Sequence, residues 1–412
     1  MRMKFMGSAV VAVIVLAATS LTAIQQEPEL TGVITVHEWG TFTSVSDGEG
    51  ASLDWRPLAG PSDLPSFVYT QEGAPKGLRH GAKCEQCGHF RCSCSKCDAG
   101  ASPKECGCKS CTVATVRMET PVIYFYADTG LTASVRVDFP KGRITEWYPK
   151  AREVGTGINW GGVLITPKAT PAYPKEPAPS HYYPARETDA TSVRVCGDGG
   201  PPEMEKFLFY RGVGTFDLPV RATLESGSVR IRNVGGDEIC QAILFENRGG
   251  KIGHRIACGL KDEVLLDRPE LGRTPEGIFE DLMKILTQQG LYKKEAAAMI
   301  QTWRDSWFEE GLRVFYVLPR AATDAILPIQ IKPVPKELVR VLVGRLEILT
   351  PEMRSKLAEL VDQLGAESIE TRLKATETLK RYGRFAEPLL KRIAGATDDL
   401  EVKKRIKDIL GN

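Results

Sequence analysis

The sequence has almost no surplus of charge of either sign. Its 54 Lys and Arg face 52 Asp and Glu, for a formal net charge of +2. Nucleic-acid binders usually carry a basic face or tail, so this balance argues against that partner. No long block of like charge interrupts it. After its first two dozen residues the chain lacks an apolar run long enough to cross a bilayer, so no further membrane span is expected. It also lacks a GxSxG nucleophile elbow, a P-loop and a dinucleotide fingerprint, which removes the easiest enzyme classes. A zinc-protease HExxH fails as well, because Thr41 stands where the second His is needed after His37-Glu38.

What is there begins with a leader. Met1-Arg2-Met3-Lys4 is cationic, Phe5 to Ala18 is apolar, and small residues follow up to Ala23. That layout predicts a signal peptide over 1–23 and export to the periplasm or beyond. The alternative is an uncleaved N-terminal membrane anchor, since extending the run to Ile24 approaches a spanning length. No Cys follows the run to accept a lipid.

The 412 residues suggest two or three domains. Residues 30–270 read as a β-rich body. Short apolar or alternating runs recur at Val33–Val36, Val122–Tyr126, Ala133–Asp138, Phe207–Tyr210, Val220–Leu224, Val229–Arg232 and Ala242–Phe245, with turn signals between them. Many short strands at close spacing favour an antiparallel sandwich or barrel. Two inserts interrupt the series, a Cys-rich stretch at 73–115 and a loop at 167–184 with six prolines. Residues 271–349 mix helix and strand and are expected to pack on the body. Residues 350–412 read as four short amphipathic helices, which must stack as hairpins or dock to bury their stripes. The fold class expected is therefore mainly β, sandwich-like, with a mixed α/β middle segment and an all-α tail.

The strongest chemical signal lies in the first insert. Cys84-x-x-Cys87 precedes Cys92-x-Cys94-x-x-Cys97 and Cys106-x-Cys108-x-x-Cys111, so eight of eleven cysteines fall within 28 residues. Soft thiolates at this spacing suit Zn(II) or Cu(I). The residues between them are mostly small or polar, Gly, Ser, Lys and Asp among them, with almost nothing to build a core, so coordination or covalent bonds must organise the stretch. A four-bridge disulfide knot is the main alternative, because export favours oxidation; crowded CxC spacing opposes it. A free redox-active cluster is the third. Cys196, Cys240 and Cys258 stand apart. Cys240 and Cys258 flank an expected hairpin, as a bridge or as buried small hydrophobes.

Polar candidates in the body are weaker. His37 and Glu38 close the first strand, where alternation puts them on opposite faces. His181, Arg186, Glu187 and Asp189 follow the proline-rich loop and are candidates to converge with His37 on a pocket, or to form ion pairs that pin the loop. Tyr210-Arg211 and Arg320 are further candidates. Trp303 and Trp307, four apart on a helix, read as core.

Longer strings carry a resemblance. Val36–Ser44 (VHEWGTFTS), Trp55–Leu58, Gly60–Pro65, Met118–Tyr126 (METPVIYFY), Lys206–Gly212 and Thr302–Phe308 (TWRDSWF) resemble an uncharacterised bacterial exported-protein family over residues 30 to 350. The resemblance implies export and one extended body, and brings no catalytic residue. The Cys insert is similar to metallothionein spacing. Glu370–Leu379 and Ala386–Leu390 are similar to HEAT-like helical hairpins, which implies a surface for a protein or envelope partner. Three functions follow as expectations: a metal-binding interaction scaffold, an envelope hydrolase or carbohydrate-active enzyme with a His/Glu/Asp pocket, and a disulfide-stapled structural protein.

Overall fold

The computed structural model describes residues 34–53, 55, 63–71, 116–196, 200–272, 274–382 and 386–410. The leader at 1–23 and the thiol insert at 73–115, with all eight of its cysteines, lie outside the described residues. In chain order the strands are β1 (Thr35–Asp47), β2 (Tyr69–Thr70), β3 (Val116–Tyr126), β4 (Leu131–Asp138), β5 (Gly142–Tyr148), β6 (Glu153–Val154), β7 (Gly157–Thr166), β8 (Ser192–Val195), β9 (Glu203–Glu205), β10 (Leu208–Gly214), β11 (Val220–Glu225), β12 (Ser228–Asn233), β13 (Ile239–Arg248), β14 (Lys251–Leu260), β15 (Glu263–Asp267), β16 (Gly311–Val317), β17 (Ile329–Lys332) and β18 (Glu337–Leu349). The helices are α1 (Pro275–Gln288), α2 (Lys293–Trp307), α3 (Arg320–Ile326), α4 (Pro351–Asp362), α5 (Ile369–Tyr382), α6 (Glu387–Ala396) and α7 (Leu400–Ile409).

The chain is mainly β. Nine strands form one sheet in the order β14-β13-β16-β18-β1-β3-β10-β5-β2. Among the described residues its one parallel pair is β1 with β18, in register from Thr35↔Glu337 to Asp47↔Leu349. A six-stranded sheet (β17-β4-β7-β8-β9, with β6 on β7) and a three-stranded sheet (β11-β12-β15) complete the β structure. The boundary expected at residue 270 therefore does not separate a body from a packed segment. β16 and β18, from the supposed segment, occupy the middle of the body's own sheet. Their apolar runs are buried along almost their whole length, as strands covered on both faces must be. β1 also runs past the polar string that was expected to end it, because His37, Glu38 and Thr43 find partners inside the fold.

One apolar cluster joins Val36, Phe42, Ile123, Leu244, Val314 and Leu342 of the large sheet to Val135 and Val163 of the six-stranded sheet and Val229 and Ile231 of the three-stranded one. A second covers the opposite face of the large sheet, where Trp39, Tyr124, Phe209 and Phe315 meet α1 and α2. In α2, Ala296, Met299, Ile300, Trp303 and Trp307 recur at helical spacing and are buried there. Met299 and Ile300 each contribute roughly 1.5–3 kcal/mol when fully covered. The tail helices gather around a third cluster that includes Leu357, Val361, Leu379, Leu390 and Ile406. Thr350 caps α4 by accepting from the Met353 amide at 3.2 Å.

Three neighbouring ladders, made by four strands, lose register together. The β1–β3 ladder shifts between Trp39 and Thr41, and β10 shifts against both β3 and β5 next to Gly212. Thr120, beside these shifts, has φ +46°, a left-handed conformation rare for a threonine. Gly212 is required: a Cβ there would lie 2.5 Å from the Arg143 carbonyl oxygen. Bulges of this kind bend a strand and re-aim its side chains, and here the residues concerned are Thr120 and Arg211.

Candidate functional site

Arg211 is buried, and its guanidinium pairs end-on with Asp63, Nη1 to Oδ1 at 2.8 Å and Nη2 to Oδ2 at 2.9 Å. It also donates to Thr120 Oγ1 from Nε and Nη2, at 3.1 and 3.0 Å. His181 lies against the same carboxylate, Nδ1 to Asp63 Oδ2 at 3.3 Å, while its Nε2 meets Asp305 of α2 at 2.8 Å. The Trp303 ring packs beside both groups, 5.8 Å from the His181 ring and 5.9 Å from the Arg211 guanidinium carbon. Five segments thus converge: residues 63–71, β3, the proline-rich loop, β10 and α2. Burial alone would raise the Asp63 carboxyl, but the Arg211 charge and the His181 and Arg211 hydrogen bonds hold it well below the usual carboxylate range. The hydrogen bond to Asp63 raises the His181 pKa; burial opposes it and Asp305 adds to it.

A second histidine cluster lies near the other end of α2. His37 Nδ1 is 2.8 Å from Glu295 Oε2, Tyr126 donates to Oε1 at 2.8 Å, and the Tyr292 amide donates to Oε2 at 2.7 Å. His37 and Glu295 are 1% and 0% exposed, so the pair is sealed. Burial, then the Glu295 charge, pushes the Tyr126 hydroxyl far above its ordinary value.

The remaining sequence candidates go elsewhere. Glu38, on the other face of β1, accepts from Tyr210 and from Arg340 Nε, both at 2.5 Å, and Arg340 continues to Asp324. Arg186 pairs with Glu205, and the Phe67, Tyr173, Tyr182 and Tyr183 rings surround it at 5.2–6.0 Å. Asp189 pairs with Lys294 at 2.5 Å, and Glu187 is exposed. No hydrogen bond or ion pair joins any two of His37, Glu38, His181, Arg186, Glu187 and Asp189 among the described residues. Among the described residues the pocket expected around His37 and His181 is not formed, because His37 is held by Glu295 and His181 by Asp63 and Asp305. Asp63, Asp305, Glu295 and Glu205 had no signal in the sequence: they are single acids, and 148 residues separate Asp63 from Arg211.

Cys240 and Cys258 are neither bridged nor buried; with Cys196 they are free and exposed. Gln241 is the ladder partner of Cys258, which leaves Cys240 one position out of register for a bridge. Among the described residues no group of three or more His, Cys, Asp or Glu is arranged to hold a metal ion. No described helix is long and apolar enough to cross a membrane.

No family model and no curated protein matches the chain.

Proposed function

We propose that this is an exported protein in which a rigid β scaffold presents a thiolate metal centre. Cys84, Cys87, Cys92, Cys94, Cys97, Cys106, Cys108 and Cys111 hold Zn(II) or Cu(I), and the helical tail offers a surface to a protein or envelope partner. The observation that carries the reading is the density of thiols in a stretch too polar to fold by burial. The scaffold supports it. The chain leaves for the insert just after β2, where the Gln71 amide donates to the Thr145 carbonyl at 3.0 Å, and returns at Val116 of β3. These ends lie at one end of the large sheet, three strand spacings apart, or about 14 Å. We read the large sheet and the two smaller ones as layers of a sandwich-like body, on the apolar cluster they share, and the tail as helical hairpins. The histidine clusters, closed by ion pairs, are read as fasteners of this scaffold.

Elemental analysis of the full chain, purified without chelator, tests the metal centre. Two or more ions per chain are expected, lost when the eight cysteines are replaced by serine. Absence of stoichiometric metal overturns the reading, whether mass spectrometry then finds four disulfides or eight free thiols.

A further inference from the structure

A cavity of about 460 Å³ lies between the proline-rich loop, the turn after β3 and the segment leading into β8. None of the residues of the two histidine clusters lines it. Its wall is fixed: Tyr173 and Ser192 share a hydroxyl hydrogen bond of 2.5 Å, and Thr166 donates to the Ser192 carbonyl at 2.9 Å. Four charged groups line it, Lys168, Lys206, Asp128 and Asp189. Lys294 neutralises Asp189. The Lys206 ammonium donates to the Thr188 carbonyl at 2.8 Å, which holds it in place with two protons to spare. Lys168 stands at φ +64°, a strained conformation of the kind that gathers at ligand sites.

Neither Lys168 nor Lys206 has a carboxylate partner among the described residues, and Asp128 has no cationic one. The cavity therefore offers two ammonium groups, one carboxylate and several hydroxyls within a volume suited to a small ligand. An apolar ligand would waste these groups. A phosphate ion would meet Asp128 as a like charge, and a neutral sugar would leave both ammonium groups unused. We propose that this cavity binds an acidic saccharide unit, its carboxylate between Lys168 and Lys206 and its hydroxyls on Asp128.

Calorimetric titration of the full chain with glucuronate, glucose and acetate tests this. Saturable glucuronate binding is expected, with glucose and acetate each at least about fivefold weaker. Lys168→Gly removes the ammonium group and relieves the backbone, so the fold is kept; glucuronate affinity should fall about three- to fivefold while glucose is unaffected. Asp128→Asn should weaken glucose, while acetate, relieved of a like charge, binds at least as well as before. The proposal is overturned by no saturation at roughly 50 mM glucuronate, by equal binding of acetate and glucuronate, or by a Lys168→Gly protein of unchanged circular dichroism that binds glucuronate as before.

Discussion

Helix α2 grips a histidine near each end, and the two grips differ in one physical variable, access to water. Near its start Glu295 holds His37, Tyr126 and the Tyr292 amide, with the His37 and Glu295 side chains buried and the two tyrosine contacts partly so. Near its end Asp305 holds His181 from outside, and is 73% exposed. A sealed acid cannot exchange its partners for water, so its hydrogen bonds are strong to keep and costly to lose. A half-open one is screened and contributes little to stability, yet its histidine remains free to respond to pH. The comparison teaches that the same residue types serve as a rivet in one place and a responsive clasp in the other.

Breaking the sealed end should cost most. Glu295→Ala leaves buried His37 and the partly buried Tyr126 hydroxyl and Tyr292 amide without their acceptor, and is expected to lower unfolding stability by about 3–5 kcal/mol in urea titrations. A loss under about 1 kcal/mol would sink the idea of a sealed rivet.

Arg211→Met should come next, at about 2–3 kcal/mol, because Asp63 loses a paired cation but retains some access to water. A loss equal to that of Glu295→Ala would remove the distinction between the ends.

The smallest effect concerns His181 itself. Its folded-state pKa is raised, so its contribution is fully present below the unfolded value and is lost as pH rises through the folded one. The imidazole should titrate by NMR above its ordinary 6.5, and Asp305→Asn should bring that value down. The stability difference between the native chain and His181→Asn should shrink from acid to alkaline pH, and stay below about 1 kcal/mol throughout. Titration at or below the ordinary value would contradict the clasp.

Much of the framework was legible in the residues. The runs Val122–Tyr126, Ala133–Asp138 and Val229–Arg232 lie in β3, β4 and β12, and Thr350-Pro351 opens α4 where a cap and a first-turn proline predict. These are local signals of period, cap and turn. What escaped was long-range. Nothing near Thr35–Asp47 announces that this strand lies parallel to Glu337–Leu349.

The sequence by itself determined the β character of the body, the helical tail and the concentration of thiols in one polar insert, because period and composition act over a few residues. Only the tertiary structure decided which acid meets which base. His37 and His181 look alike in the chain; a fold that buries one beside Glu295 and leaves the other between Asp63 and Asp305 makes them different, since burial and partner charge belong to the assembled sheet and not to neighbours in sequence.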